Sequence, residues 1–419
     1  MSTLDTRPGS SPEAATRRVS GTARLTALHL LVAANTVSMT GNVLLTVVVP
    51  WLVLTTTGSP ALAGAVVFAG VVSATVGGLG AGRVVEALGP VRASSVADVL
   101  SGLAVAPLPI LLAVDSLQIW HVVLLTALGT LTDAAGSAAR QSLVPAAADG
   151  GGHRRERANA LYASAEHLGY LLGAPAAGLL IAGFGVGPAL WVAVAAFGFA
   201  AVAMRGLGSL GPRRDAAAAV AAAGLRETIA FIWGDRALRA LVVFPTAAVL
   251  LVGPLAPLVL PVLARSVFHD PVVLGVMVAC YGVGGLLGAA GYGVVGHAIP
   301  RRVLYLGIFL VWPSAYAAIL LVAVLPVTLV MLVALGAAAG SLVPLQATIR
   351  QERSPARLLP RVIGLSTATI PVAVPTSALL TGFLIEGLGL DRASWVLVAG
   401  AALIGCFVVM SRSTRHLEG

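Results

Sequence analysis

Ionisable side chains are scarce inside the apolar stretches of this chain, and the few that occur there point to its chemistry. They are His29, Asp98, Asp133, Glu166 and His167, with Glu386 near the end of another stretch. An Asp at the centre of a membrane-embedded helix costs about 2.5–3.5 kcal/mol on insertion scales, so such a group marks an ion or substrate pathway by default. Glu166 follows Arg157 by nine residues, roughly 13 Å along a helix that rises ~1.5 Å per residue. No neighbouring arginine easily reaches that depth, and a carboxyl there can take a proton from one side and release it to the other. Glu166, Asp133 and His167 are therefore the proton-coupling candidates. His167 points about 100° away from Glu166 and can equally serve as a hydrogen-bonding group towards a neighbouring helix. Asp133 shares its face with Ser137 and Arg140 at i+4 and i+7, so a structural ion pair is an equal reading of it. Asp98 lies shallower, within reach of Arg92 or Arg140.

Uncharged polar residues form a second pattern. Asn35, Ser38, Asn42 and Thr46 recur every three or four residues, which places them on one stripe of a helix. Such a stripe either faces a polar cavity and meets substrate or water, or holds two helices together. Tyr162, Tyr170, Tyr281, Trp312 and Tyr316 can add aromatic contacts to an amphipathic ligand, and can equally be packing residues or interface anchors.

The elements that must position these groups follow from composition. Of 419 residues 58% are hydrophobic and 10% charged, more apolar surface than one water-soluble core can bury. Lipid is the expected solvent. The apolar runs reach the ~20 residues that a helix needs to cross the hydrocarbon layer, and the ten-residue alternation of a membrane β-barrel is not seen. The expected fold is an all-α integral membrane protein with twelve spans in two pseudo-symmetric six-helix bundles. A 1–24 segment is read as a disordered cytoplasmic tail, 25–204 as the N-terminal bundle, 205–237 as a cytoplasmic linker, 238–411 as the C-terminal bundle and 412–419 as a second tail. Within the linker, Leu225, Ile229 and Ile232 have the spacing of an amphipathic helix at the inner surface.

All 26 basic residues are arginine, and they give a net charge of +9. They occupy alternate breaks: Arg83 and Arg92, then Arg140 to Arg157, Arg205 to Arg239, Arg301 and Arg302, and Arg350 to Arg361. The opposite breaks hold only Arg265 and Arg392. This asymmetry predicts that the arginine-rich breaks and both termini are cytoplasmic, and it explains the charge without a nucleic-acid partner. The chain has no lysine, hence no P-loop for nucleotide. Its two cysteines, Cys280 and Cys406, lie in apolar runs with no metal or redox spacing. No metal and no cofactor is expected. The glycine clusters at Gly77–Gly80 and Gly282–Gly288 follow no strand, and are read as close helix packing rather than dinucleotide loops.

The break after the second span, Gly82-Arg-Val-Val-Glu-Ala-Leu-Gly89-Pro-Val-Arg92, resembles the major facilitator loop G-x-L-a-D-r-x-G-r-r, with Glu86 in the place of its Asp. The resemblance implies an inner gate locked by charge contacts, with Glu86, Gly89, Arg92, Asp98 and Arg140 as its members. Arginines that only anchor topology are an equal reading. The stretch Gly169-Tyr-Leu-Leu-Gly173-Ala-Pro175-Ala-Ala-Gly178 resembles the antiporter motif G-x-x-x-G-P-x-x-G-G, although Ala174 takes the Pro position and Ala177 replaces a Gly. Ala139–Pro145, Arg157–Leu161, Gly224–Leu241 and Gln351–Gly387 are similar to the drug:proton antiporter branch that includes macrolide and siderophore exporters. What the resemblance implies is a monomeric transporter of the cell membrane, exporting a small amphipathic molecule in exchange for protons. Two or three buried acids, set against no evidently buried arginine, tilt the expected substrate towards a neutral or cationic compound. An uptake symporter is the alternative within the class; a membrane-embedded enzyme or lipid scramblase is the alternative outside it.

Overall fold

The computed structural model describes residues 21–151, 155–207, 225–296, 298–355, 358, 362, 365–366, 370–411 and 414. Thirteen helices run through them: α1 Gly21–Thr57, α2 Pro60–Leu88, α3 Pro90–Ala113, α4 Ile119–Gly151, α5 Arg155–Phe184, α6 Val186–Arg205, α7 Leu225–Gly234, α8 Arg236–Phe268, α9 Pro271–Val295, α10 Arg301–Val322, α11 Leu325–Arg353, α12 Ile370–Leu388 and α13 Leu390–Met410. Ten are long and apolar enough to cross a membrane, and α5 and α12 carry shorter apolar stretches at Leu168–Phe184 and Ala373–Leu388. Only α7 is short. Large apolar side chains such as Leu79, Leu103, Phe199, Val294, Leu403 and Phe407 are exposed. That is the pattern of a protein whose backbone polar groups are satisfied within helices and whose outer surface faces hydrocarbon.

The two halves are built alike. In the first, α2 packs on α4, α1 on α5 and α3 on α6; in the second, α9 packs on α11, α8 on α12 and α10 on α13. Each half begins its second spanning helix with a polar cap and a proline. Ser59 accepts from the Leu62 amide before Pro60, and Asp270 accepts from the Val272 amide at 2.7 Å before Pro271. A side-chain cap followed by proline satisfies orphan N–H groups at a helix start. Each half also turns into its last helix on a glycine of positive φ, Gly185 (+86°) and Gly389 (+77°), where a side chain would be strained.

Glycines set the tightest seams, as the glycine clusters predict. A Cβ on Gly77 of α2 would lie 2.0 Å from the Leu131 carbonyl of α4, and one on Gly284 or Gly288 of α9 would lie 2.1 or 2.0 Å from the Val333 or Ala337 carbonyl of α11. Without a hydrophobic drive between helices in lipid, such backbone approach supplies the van der Waals contact that associates them. On α7, Thr228 and Ile232 are buried while Ile229 is exposed. Of the Leu225–Ile229–Ile232 face that the spacing predicts, Ile232 is thus buried where α7 packs against the start of α8, and Ile229 stays at the surface.

Candidate functional site

A buried ionic cluster lies inside the first half, where α1, α3 and α4 meet. Arg140 of α4 and Asp98 of α3 are both fully buried, with the Arg140 Nη1 atom 2.9 and 3.0 Å from the two carboxylate oxygens. Nη1 also donates to Ser94 Oγ at 3.3 Å. The Nε atom donates to Asn35 Oδ1 of α1 at 3.0 Å, and Nη2 reaches Asp133 Oδ1 at 3.5 Å. Ser38 Oγ of α1 donates to Asp98 Oδ1 at 3.0 Å. Every guanidinium nitrogen is therefore engaged, as a buried cation requires. Towards the arginine-rich end, Leu28, Leu31, Leu143, Val144 and Met204 close an apolar layer over the cluster. Gly136 leaves room for it: a Cβ there would sit 2.8 Å from Ala97 Cβ and 3.6 Å from Arg140 Nη1.

The two carboxylates differ. Asp98 is satisfied by Arg140 and Ser38 and sees no solvent; Asp133 has one long contact to the shared guanidinium and a side chain 16% exposed. One positive charge thus faces two negative ones, and the carboxylate left over is the one that water can reach.

The residues singled out by sequence are redistributed. Asn35 and Ser38 serve the ionic cluster, whereas the rest of their stripe does not: the Asn42 amide nitrogen is buried without a partner, and the exposed Thr46 returns its hydroxyl to the Asn42 carbonyl at 3.0 Å. The gate set separates too. Asp98 and Arg140 join, while Glu86 and Arg92 are exposed at the adjoining ends of α2 and α3, turned by Gly89 (φ +75°), where water competes for their charges. The expectation of no evidently buried arginine is corrected by Arg140, whose neighbours from three helices could not be seen from its place near an apolar run's end. Trp312 and Tyr316 do not face the other half. They sit on α10, which packs on α11 and α13, with the Tyr316 hydroxyl donating to the Leu251 carbonyl at 3.1 Å and the Trp312 ring in tilted contact with that of Phe309. Tyr162 approaches the Ser137 carbonyl at 3.5 Å, beside the cluster. Tyr281 of α9 is half-buried. The side chains of Glu166 and His167 lie outside the described residues. Ser94, which sequence reading passed over, was discoverable: Ser94, Asp98 and Ser101 recur at i, i+4 and i+7, a polar face in an apolar helix.

The antiporter-like stretch forms two seams of α5. Gly169 and Gly173 press on α1, with a Cβ at 2.7 Å from Met39 Cβ or the Thr40 carbonyl. At Pro175 and Gly178, α5 meets α9 of the other half: Gly275 faces the Ala174 carbonyl at 2.5 Å and Gly178 the Pro271 carbonyl at 2.6 Å, both measured from a hypothetical Cβ. Tyr170 continues this seam inward against Gly282. The opposite seam repeats it, with Gly64 against the Ala378 carbonyl at 2.6 Å and Gly382 against that of Pro60 at 2.7 Å. These contacts cluster near the starts of α2 and α9 and the last turns of α5 and α12, the end with few arginines. The second half of α8 also meets α1 and α2 there. The two halves thus close against each other at the arginine-poor end.

This arrangement, two alike six-helix halves meeting through α2–α12 and α5–α9, is that of a known transporter family. Residues 31–298 match the family described as Major Facilitator Superfamily. The chain belongs to the major facilitator superfamily. It is 32% identical over 397 residues to the multidrug efflux pump Tap of Mycolicibacterium fortuitum, across 93% of this chain and 97% of that protein. Among solved structures it resembles the nucleoside transporter NupG, with a TM-score of 0.75 at 11% identity over 91% of this chain and 98% of that one. It also resembles a bacterial homolog of the human lysosomal transporter Spinster in its inward-facing, unoccupied conformation, with a TM-score of 0.74 at 15% identity over 95% and 98% of the two chains. As a member of this family, the protein is a multi-pass membrane transporter rather than an enzyme.

One feature breaks the facilitator two-fold. On the α2–α12 seam, Glu386 accepts from Ser59 Oγ and from the Ala61 amide at 3.0 Å. Counting from the paired glycines Gly178 and Gly382, the position equivalent to Glu386 on the α5–α9 seam is Ala182, and the cap equivalent to Ser59 is the acidic Asp270, beside which a second carboxylate would be repelled. Glu386→Ala is expected to loosen only the α2–α12 seam, raising the population opened at the arginine-poor end. Spin-label distances between the ends of α2 and α12 and between those of α5 and α9 check this; equal broadening of both would count against a one-sided latch.

Proposed function

We propose that this transporter exports a small amphipathic, drug-like molecule from the cytoplasm by alternating access, in exchange for protons. The shared guanidinium of Arg140 carries this reading. It neutralises Asp98 permanently, so that Asp133 holds a proton, a cationic or polar group of the substrate, or an unbalanced charge, one at a time. Competition between proton and substrate for one site is the requirement for antiport. Glu166, one helix away in sequence, is the second candidate for the same role. The name of the efflux pump that matches this chain over nearly its full length supports an exported drug as cargo.

Direction and placement rest on the arginines. The end rich in them is assigned to the cytoplasm, with both termini, in the cell membrane. Closure of the two halves at the other end then corresponds to an inward-facing state, ready to load from within. The protein works as a monomer, each copy holding both halves of its own pathway.

The test is proton movement in proteoliposomes under an imposed pH gradient, with a panel of amphipathic antibiotics and siderophores. Compound-dependent proton flux is expected in the wild type. It is expected to vanish in Asp133→Asn while downhill movement of the same compound persists, since the carboxylate is then permanently neutral. Glu166→Gln separates the two candidates. Substrate movement without proton flux, or full coupling with both carboxyls replaced, would show the proposed mechanism to be wrong.

A further inference from the structure

Arg350 is the second deeply buried arginine, and its surroundings are the reverse of those of Arg140. It lies three residues before the end of α11 and is 7% exposed, yet its described neighbours include no carboxylate within ion-pair distance. Its Nη2 atom donates to the neutral Gln346 Oε1 at 2.8 Å, and its Nε–H has no partner. One turn further on, Ser354 is also buried, at 8% exposed, and its hydroxyl has no partner. Gln346 and Arg350 lie one turn apart on α11, and Ser354 caps its end, its amide donating to the Arg350 carbonyl at 3.0 Å.

A third orphan lies near the start of α10. Tyr305 of α10 is buried and ties α10 to α8 by donating to the Ala240 carbonyl at 3.1 Å. Arg302 lies one turn out from Tyr305, and its Nε is likewise buried and unpartnered. The ends of the two helices are clamped beside it by the ion pair of Arg301 with Glu352. Two guanidinium N–H donors and one hydroxyl are thus buried without partners at the joined ends of α10 and α11, and the described carboxylate there, Glu352, is already paired with Arg301. A buried cation left in this way is strongly unfavourable, whereas an oxyanion among these donors would receive charge-assisted hydrogen bonds.

We propose that Arg350, Ser354 and Arg302 form an anion site for a phosphate-type oxyanion at the arginine-rich end of the second half. Arg350 is only about 5 Å from the end of its helix, at ~1.5 Å per residue, which is the level of lipid headgroups at the border of the hydrocarbon layer. The phosphodiester of an anionic phospholipid and free inorganic phosphate present the same chemistry to these donors, and the experiment separates them.

Purified full-length protein in detergent is titrated with phosphatidylglycerol in mixed micelles and, separately, with inorganic phosphate at constant ionic strength, with thermal unfolding as readout. A ligand that binds the folded state raises the unfolding temperature with concentration. Saturable stabilisation by phosphatidylglycerol alone assigns the site to lipid; stabilisation by phosphate as well assigns it to a free oxyanion. In Arg350→Gln the apparent affinity is expected to fall about tenfold or more, as loss of a charge-assisted hydrogen bond implies. Ser354→Ala, which removes no charge and keeps the helix cap backbone, is expected to weaken it less and serves if Arg350→Gln does not fold. The proposal is overturned if neither ligand stabilises the wild type, or if the response is unchanged in Arg350→Gln or, failing that protein, in Ser354→Ala.

Discussion

Arg140→Gln is expected to abolish transport and to lower stability by about 3–5 kcal/mol, the range seen when one partner of a buried ion pair is removed. Asp98 would remain fully buried with only Ser38 as a side-chain partner, and Asp133 would face it without the intervening cation. The informative comparison is the double variant Asp98→Asn/Arg140→Gln. Replacing both partners leaves no fully buried charge isolated, only the partly exposed Asp133, so thermal unfolding of the purified protein should recover most of the loss, while export should not return because Asp133 has lost the cation that sets its charge. Recovery of export in the double variant would reduce the cluster to a structural pair. An unfolding temperature in Arg140→Gln equal to that of wild type would mean that the buried carboxylate had found another partner.

The second large effect is expected where helices touch through bare backbone. Gly340→Ala in α11 puts a Cβ 2.0 Å from the Gly285 carbonyl of α9, and Gly288→Ala puts one 2.0 Å from the Ala337 carbonyl of α11. Neither contact is with a flexible side chain, so the helices themselves must separate. Overpacking of this kind typically costs about 1–3 kcal/mol, and here the whole α9–α11 seam must move, which puts the expected loss at the upper end. Gly291→Ala is the control: it lies on the same helix with nothing within 4 Å of a Cβ, and alanine there should be neutral or slightly favourable through its higher helix propensity. Folded yield and unfolding temperature of the three proteins decide the matter; equal values would mean that α9 and α11 are not in backbone contact.

Both results bear on how transport is organised. The tight α2–α4 and α9–α11 seams make each half a rigid body, while the α2–α12 and α5–α9 seams between the halves carry the reversible contacts. Glycines occur in both, but their places differ: inside a half they press on the middle of a neighbouring helix, and between halves Gly178 and Gly382 press on the helix starts at Pro271 and Pro60. A hinge at helix ends can open without unpacking either half, which is what alternating access asks of the fold.

Much of this was legible from residues alone. The apolar runs and the one-sided arginines require a polytopic helical protein, because a helix is the only way for an open chain to satisfy its backbone in lipid. A repeat was also readable: Leu180-Ile-Ala-Gly-Phe-Gly-Val-Gly-Pro-Ala-Leu-Trp191 and Leu384-Ile-Glu-Gly-Leu-Gly-Leu-Asp-Arg-Ala-Ser-Trp395 keep two glycines and the tryptophan in register, and they begin the same turn in each half. Asp98 was placed within reach of Arg140 by depth along its helix, since rise per residue is a local property.

What only the tertiary structure decided is which of several polar faces meet. Asn35 and Ser38 lie on the same stripe as Asn42 and Thr46, and nothing in their spacing says that the first two close on a guanidinium from α4 while the others do not. Arg140 and Arg350 look alike in sequence, each near the end of an apolar run. Among the described residues one is paired with carboxylates and the other with none, because partners come from helices distant in the chain and the helix rotations that bring them together are set by glycine seams.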